Sequence, residues 1–241
     1  MSQVKAVLLD IEGTVSSISF VREVLFPYTL TALPEVLAEK WDTDEFAPYR
    51  NDFPPEHRSD PADFLSHVRE LTNNDVKIAY LKNLQGYLWL QAYRSGAVKA
   101  PVYPDVVKAL EQWTAAGLKV YIYSSGSVLA QQLFFEHTDN AAQADLRPFL
   151  AGHFDTVNAG LKTRAESYEV IARETGHAAH QWVFLTDNVK EVEAAVAAGM
   201  HARIVVREGN APVSDEDIAR FGPVVTDFVK DDGLRRLLAM D

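Results

Sequence analysis

The chain has 241 residues, 47% hydrophobic and 24% charged, with a formal net charge of −11 and no cysteine. That length suits one core domain plus a subdomain, and the missing thiols exclude disulfides and cysteine catalysis. The acidic balance argues against a nucleic-acid partner, which would need a basic face, and no apolar run is long enough for a membrane-spanning helix. The start, MSQVKAVLLDIEG, lacks the basic region and cleavage site of a signal peptide. The expectation is a cytoplasmic protein with no membrane partner, and with no dimerisation motif in view, a monomer.

The first element is a strand. Val4, Ala6, Val7, Leu8 and Leu9 form an apolar run interrupted only by Lys5, the pattern of a strand buried on both faces. It stops at Asp10, with Glu12, Gly13 and Thr14 following. A carboxylate at the end of a core strand is costly unless a metal ion or a lysine pairs with it. Ligands of open parallel sheets bind just beyond such strand ends. Asp10 and Glu12, two apart, point to the same side of an extended chain, and Gly13 allows a sharp turn after them. Val15 to Phe20 reads as a flap or short hairpin.

From residue 20 to residue 100 the pattern is helical, an all-helical insert between core segments 1–19 and 101–241. Pro27 and Pro34 predict two or three short, kinked helices over Val21 to Trp41. Asn51 to Asp60 is a loop. A helix from Pro61 to Thr72 places Phe64, Leu65, Val68 and Leu71 on one face. Asp75 is expected to cap another, to Arg94, with Ile78, Leu81, Leu84, Leu88 and Leu90 inward, ended at Ser95-Gly96. His57, Arg58 and His67 read as surface residues.

After the insert, Pro104 and Asp105 open a helix to Ala116, and Leu118 to Tyr123 form a second core strand. It ends in Ser124, Ser125, Gly126 and Ser127, followed by a helix to His137 with Leu129, Leu133 and Phe134 on its buried side. Hydroxyls and N–H groups at a strand-to-helix turn make a seat for a phosphate. Ser124 is favoured there with Ser125 assisting, while helix capping by Ser125 or Ser127 is compatible. Thr163 and Glu166 have capping-box spacing for a helix to Thr175 with Tyr168, Ile171 and Ala172 inward. Lys162 stands at the start of that helix, where the dipole disfavours a cation unless an anion is close, so it is a site candidate. Gln181 to Leu185 make a third strand, ended by Thr186, Asp187 and Asn188. Asp187 either caps the next helix, to Ala198, or faces Asp10 across a cation, since two such carboxylates otherwise repel. Oxygen donors of this kind suit Mg2+, and Glu191 lies one turn further on. Arg203 to Val206 add a strand, Val224 and Val225 a short last one, and Asp232 to Met240 a terminal helix.

An acid pair, a hydroxyl, a lysine and an acid thus follow one another. That order resembles the four motifs of the haloacid dehalogenase-like superfamily, the first usually written DxDGT, with Glu12 here in place of the second Asp. The resemblance implies an α/β fold, a Rossmann-like parallel sheet core with an inserted all-helical cap that closes over the site. It implies a small-molecule phosphate ester as substrate, Asp10 as nucleophile, Glu12 as general acid and base, and Lys162 as the cation joining nucleophile and phosphate. Ser124, Ser125 and Lys162 would bind the substrate phosphate, and Asp10, Asp187 and the backbone carbonyl of Glu12 would hold Mg2+. More narrowly, DIEGT, YSSGS (123–127), HFDT (153–156), FLTDN (184–188) and VVREGNAP (205–212) are similar to the acireductone synthase family, the enolase-phosphatases of methionine salvage. That family implies enolisation and then dephosphorylation of 2,3-diketo-5-methylthiopentyl 1-phosphate. The enolising base is Glu12 or a cap residue, with Mg2+ or Ser125 steadying the enolate. The alternative is another Mg-dependent phosphomonoesterase, or a phosphomutase, of the same superfamily.

Overall fold

The computed structural model describes residues 3–240. The chain divides into two compact units, Met1–Phe20 with Lys99–Asp241, and Val21–Val98.

The first unit is built on β1 (Ala6–Leu9), β2 (Lys119–Tyr123), β3 (Leu150–Phe154), β4 (Trp182–Thr186) and β5 (His201–Ile204). Among the described residues these form one parallel sheet of five strands in the order β3-β2-β1-β4-β5. All four residues of β1 are fully buried, as a central strand covered on both faces must be. Register brings the strand ends level, with Leu9 opposite both Ile122 and Leu185. Asp10, Ser124 and Asp187 therefore leave the sheet at one edge. Strand order reverses direction about β1 and β4, the switch point where open α/β sheets bind ligands. Trp182, Phe184, Tyr123, Tyr168 and Ile171 form part of one buried cluster below that edge.

The sequence leaves Leu150–Phe154 unassigned, and the structure makes it β3. LAGHF has neither an apolar run nor strict alternation, and its register against β2 shifts between Val120 and Tyr121. Val15 to Phe20 is a run of turns, with only an isolated Glu12–Ser16 bridge, and not a hairpin. The helix after Ser127 runs Val128–Glu136 with Leu129 exposed, and Gln131 takes the buried position instead. Thr163 does not cap the helix Ala165–Thr175; Arg164 precedes it, without a side-chain cap. A helix at Asp215–Phe221, capped by Ser214, escaped the sequence reading.

The second unit is helical. A π turn at Val21–Leu25 runs directly into the helix Phe26–Lys40, which carries Pro34 in its interior. The expected break does not occur: the two segments run on without interruption, with Pro27 in the first turn of the α segment, where proline is best tolerated. Helices Ala47–Asn51, Pro61–Asn73 and Ala79–Ser95 follow. Asp60 caps the second of these through the Asp63 N–H at 3.0 Å. Asp75 caps nothing, because its backbone is left-handed (φ 49°), and the last helix starts at Ala79, leaving Ile78 exposed. Phe46, Phe53, Phe64, Leu81, Leu84 and Leu88 fill the core of this unit.

Candidate active site at the strand ends

Three elements place the central charges. β1 delivers Asp10, 6% exposed, and the backbone N–H of Ile11 donates to its Oδ1 at 2.8 Å. β4 delivers Thr186 and Asp187. The loop after β3 delivers Lys162, 8% exposed. That loop is pinned by hydroxyls: Tyr123 donates to Gly160 O (2.8 Å), Ser167 to Leu161 O (2.8 Å) and Tyr168 to Lys162 O (2.6 Å). A β2 tyrosine and two helix residues reaching back thus supply the local order that a Thr163 cap was expected to provide.

Lys162 Nζ lies 2.7 Å from Asp10 Oδ1 and 2.7 Å from Glu191 Oε2. Burial opposes the ammonium, yet Asp10 and Glu191 more than offset it and hold the Lys162 pKa above its ordinary value. Thr186 Oγ1 lies 3.0 Å from Asp10 Oδ2 and 2.9 Å from Glu191 Oε2. A hydroxyl has one proton to donate, so it serves one carboxylate at a time unless the other carries a proton. Burial, and then the charge of Asp10, push Glu191 above the usual carboxylate range in that direction. One cation thus stands between two buried acids, in surroundings where an unpaired charge would be expensive.

Asp187 does not cap the helix Val189–Ala197; Asn188 does, accepting from the Lys190 N–H at 3.0 Å. Burial, then the charge of Asp10, push the Asp187 carboxyl up to about 6, with Lys162 pulling the other way. The Asp187 carboxylate abuts the turn after β1. A Cβ on Gly13 (φ 68°) would stand 2.5 Å from Asp187 Oδ2, which is why that turn requires glycine.

Glu12 lies on the same turn, half-buried, its backbone bridged to Ser16. Ser124 is buried at the end of β2, its Oγ accepting from the Gly126 N–H at 3.4 Å, and Ser125 beside it is half-buried. The serine loop is held from below by Gln131, 1% exposed, whose Nε2 reaches Gly126 O (2.9 Å), Phe154 O (2.8 Å) and Ser124 O (3.5 Å). Asp155 accepts from the Val128, Val157 and Asn158 N–H groups and locks the start of the next helix. Gln131, Asp155 and Thr186 were not singled out from sequence. A glutamine on the buried face of a short apolar helix was the available signal for the first.

Among the described residues, no three His, Cys, Asp or Glu side chains gather to hold a metal by themselves. A buried carboxylate, Asp10, and a half-buried one, Asp187, reluctant to ionise beside it, nevertheless fit a divalent cation. Mg2+ in particular is held by one or two carboxylates plus substrate phosphate, and not by a full protein cage. Three buried polar atoms without hydrogen-bond partners, Thr14 Oγ1, Ser16 Oγ and Asn210 Oδ1, lie on the β1 turn or on a residue that binds it.

The chain matches the haloacid dehalogenase-like hydrolase family over residues 4–199. It is 54% identical to the enolase-phosphatase E1 of Sclerotinia sclerotiorum, over 89% of each chain. To the enolase-phosphatase E1 of Podospora anserina it is 55% identical, over 89% of this chain and 92% of that one. The crystal structure of the UTR4 protein of Saccharomyces cerevisiae superposes with a TM-score of 0.79 at 38% identity, covering 88% of this chain and 94% of that one.

Proposed function

The chain belongs to the haloacid dehalogenase-like hydrolases and, within them, to the enolase-phosphatases; from that premise we propose that it converts 2,3-diketo-5-methylthiopentyl 1-phosphate to acireductone and phosphate, in methionine salvage. The observation that carries the reading is the buried charge network at the strand ends, in which Lys162 holds Asp10 at 2.7 Å.

The substrate phosphate sits at the edge of the sheet, between the serine loop and Asp10. Ser124, Ser125 and Lys162 hold its oxygens. Asp10 attacks phosphorus in line, and the bond to the alkoxide oxygen breaks as an aspartyl phosphate forms. Glu12 gives its proton to the departing oxygen, then takes one from the water that releases phosphate. Lys162, anchored to Asp10, remains beside the negative charge through both steps and needs no rearrangement. Enolisation precedes this: a base, for which Glu12 is the candidate on the β1 turn, removes the proton alpha to the carbonyl. Asp10, Asp187 and the backbone carbonyl of Glu12 are the groups that would hold Mg2+, which when bound supplies positive charge to the phosphate oxygens. We read the enzyme as cytoplasmic and monomeric, with no nucleic-acid or membrane partner. The formal charge of −11 supports the nucleic-acid part of that reading. No helix among the described residues is long and apolar enough to cross a membrane.

The deciding experiment follows the diketone phosphate by absorbance and by phosphate release, with and without a chelator. A transient enol signal followed by stoichiometric phosphate, both suppressed by chelation, is expected. Phosphate release from simple esters with no change in the diketone would favour a different phosphomonoesterase.

A further inference from the structure

The stretch Val205 to Pro212 has no role in the chemistry above, yet it grips the β1 turn. Arg207 Nε donates to Thr14 O at 3.0 Å, and Asn210 Nδ2 donates to Gly13 O at 2.8 Å. Asn210 Nδ2 also reaches Val205 O at 3.3 Å. These two carbonyls orient the amide, since reversing it would set an oxygen against both. Oδ1 is then left buried without a hydrogen-bond partner. It lies 3.0 Å from the point that a Gly13 Cβ would occupy, and Asp187 Oδ2 lies 2.5 Å from the same point. Two acceptor oxygens, one from Asp187 and one from Asn210, therefore pack close together against Gly13 on the turn that carries Glu12.

We propose that Asn210 is an outer partner of the cation site, its Oδ1 accepting a hydrogen bond from a water carried by the divalent cation beside Asp187. The inference rests on the reading of Asp10 and Asp187 as cation ligands. Mg2+ sheds its waters reluctantly and keeps several when held by few carboxylates. Such waters donate and do not accept toward the protein, which is what a buried, partnerless acceptor requires. An amide supplies that acceptor without adding negative charge to Asp10, Asp187 and Glu191. Its N–H groups meanwhile hold the turn that presents the Glu12 carbonyl. One side chain thus couples turn geometry to the hydration shell of the ion.

The test is Mg2+ affinity by calorimetry on the whole protein, with metal-free melting as the fold control. Asn210→Ala loses both the acceptor and the clamp; Asn210→Asp keeps an acceptor and loses the N–H donors. Both should lower the metal-free melting temperature similarly. Asn210→Ala should weaken Mg2+ binding about 10- to 100-fold, while Asn210→Asp binds within about threefold of wild type or more tightly. If Asn210→Asp weakens binding as much as Asn210→Ala, the amide is only a clamp on Gly13 and the proposal falls. Unchanged affinity in Asn210→Ala also overturns it. A wild-type protein that binds no Mg2+, or one whose binding survives Asp187→Asn intact, refutes the underlying cation site instead.

Discussion

Lys162 shows how much of the site depends on single side chains. Its ammonium lies 2.7 Å from each of two buried acids, within about 6 Å of the Tyr123 and Phe184 rings. Lys162→Met keeps the volume and removes the charge. We expect kcat/KM to fall about 10²- to 10³-fold or more, the usual loss when a preorganised charge-stabilising donor is removed. Denaturant titration should also show lower stability, because Asp10 and Glu191 are left buried without their cation. Near-normal kinetics would return Lys162 to a purely structural role. At this scale the acids were legible because they end apolar strands, and the lysine because it stands just before a helix start, where the dipole disfavours a cation. Thr186 was not, since a threonine at the end of a β-strand looks like ordinary strand composition. Asn210 was not either: a Gly-Asn pair after a strand reads as a turn, and only the packed structure shows its amide reaching Gly13 O.

Elements explain how the serine loop keeps its shape. Gln131 ties the ends of β2 and β3 to the loop through three carbonyls, and Asp155 fixes the first turn of the helix Val128–Glu136. Gln131→Met fills the same space without hydrogen bonds. The serine loop should then hold phosphate less well, and inorganic phosphate should inhibit about tenfold more weakly, with kcat changed less. An unaltered inhibition constant together with an ordinary loss of stability would mean that Gln131 only packs. The strands β1, β2 and β4 were readable as apolar runs; β5, expected at Arg203 to Val206, lies two residues earlier at His201–Ile204, and β3 was not readable, because LAGHF gets its strand character from pairing with β2. Pro27 and Pro34 misled for the opposite reason. Local chemistry argued for breaks, and a π turn together with packing around Leu33, Val36 and Leu37 kept the helix whole.

For the whole molecule, the pairing of Asp10 with Asp187 links folding to protons and to cations. Burial and Asp10 raise Asp187 from 3.8 to about 6. A group raised in the folded state contributes stability below its unfolded value, and that contribution is lost as pH climbs through the folded value. In a chelator, wild type should therefore lose stability relative to Asp187→Asn between about pH 4 and pH 6, as measured by urea unfolding. The comparison with the variant cancels the opposing contributions of the histidines, four of which burial holds below their ordinary values. Mg2+ should restore more stability at the upper end of that window, because it binds the ionised carboxylate. A relative gain by wild type with rising pH would contradict the assignment. The helical insert and the parallel core were legible as two compositional regimes, one with acids and serines at strand ends and one without.

The central claim is that Asp10 becomes covalently phosphorylated. Acid quench during turnover, followed by mass spectrometry of peptides, tests it most directly. The account predicts one added phosphoryl group on the peptide carrying Asp10 in wild type, and neither adduct nor turnover in Asp10→Asn at unchanged melting temperature. A phosphoryl group on any other peptide, or sustained turnover in an Asp10→Asn preparation free of deamidation, would contradict it.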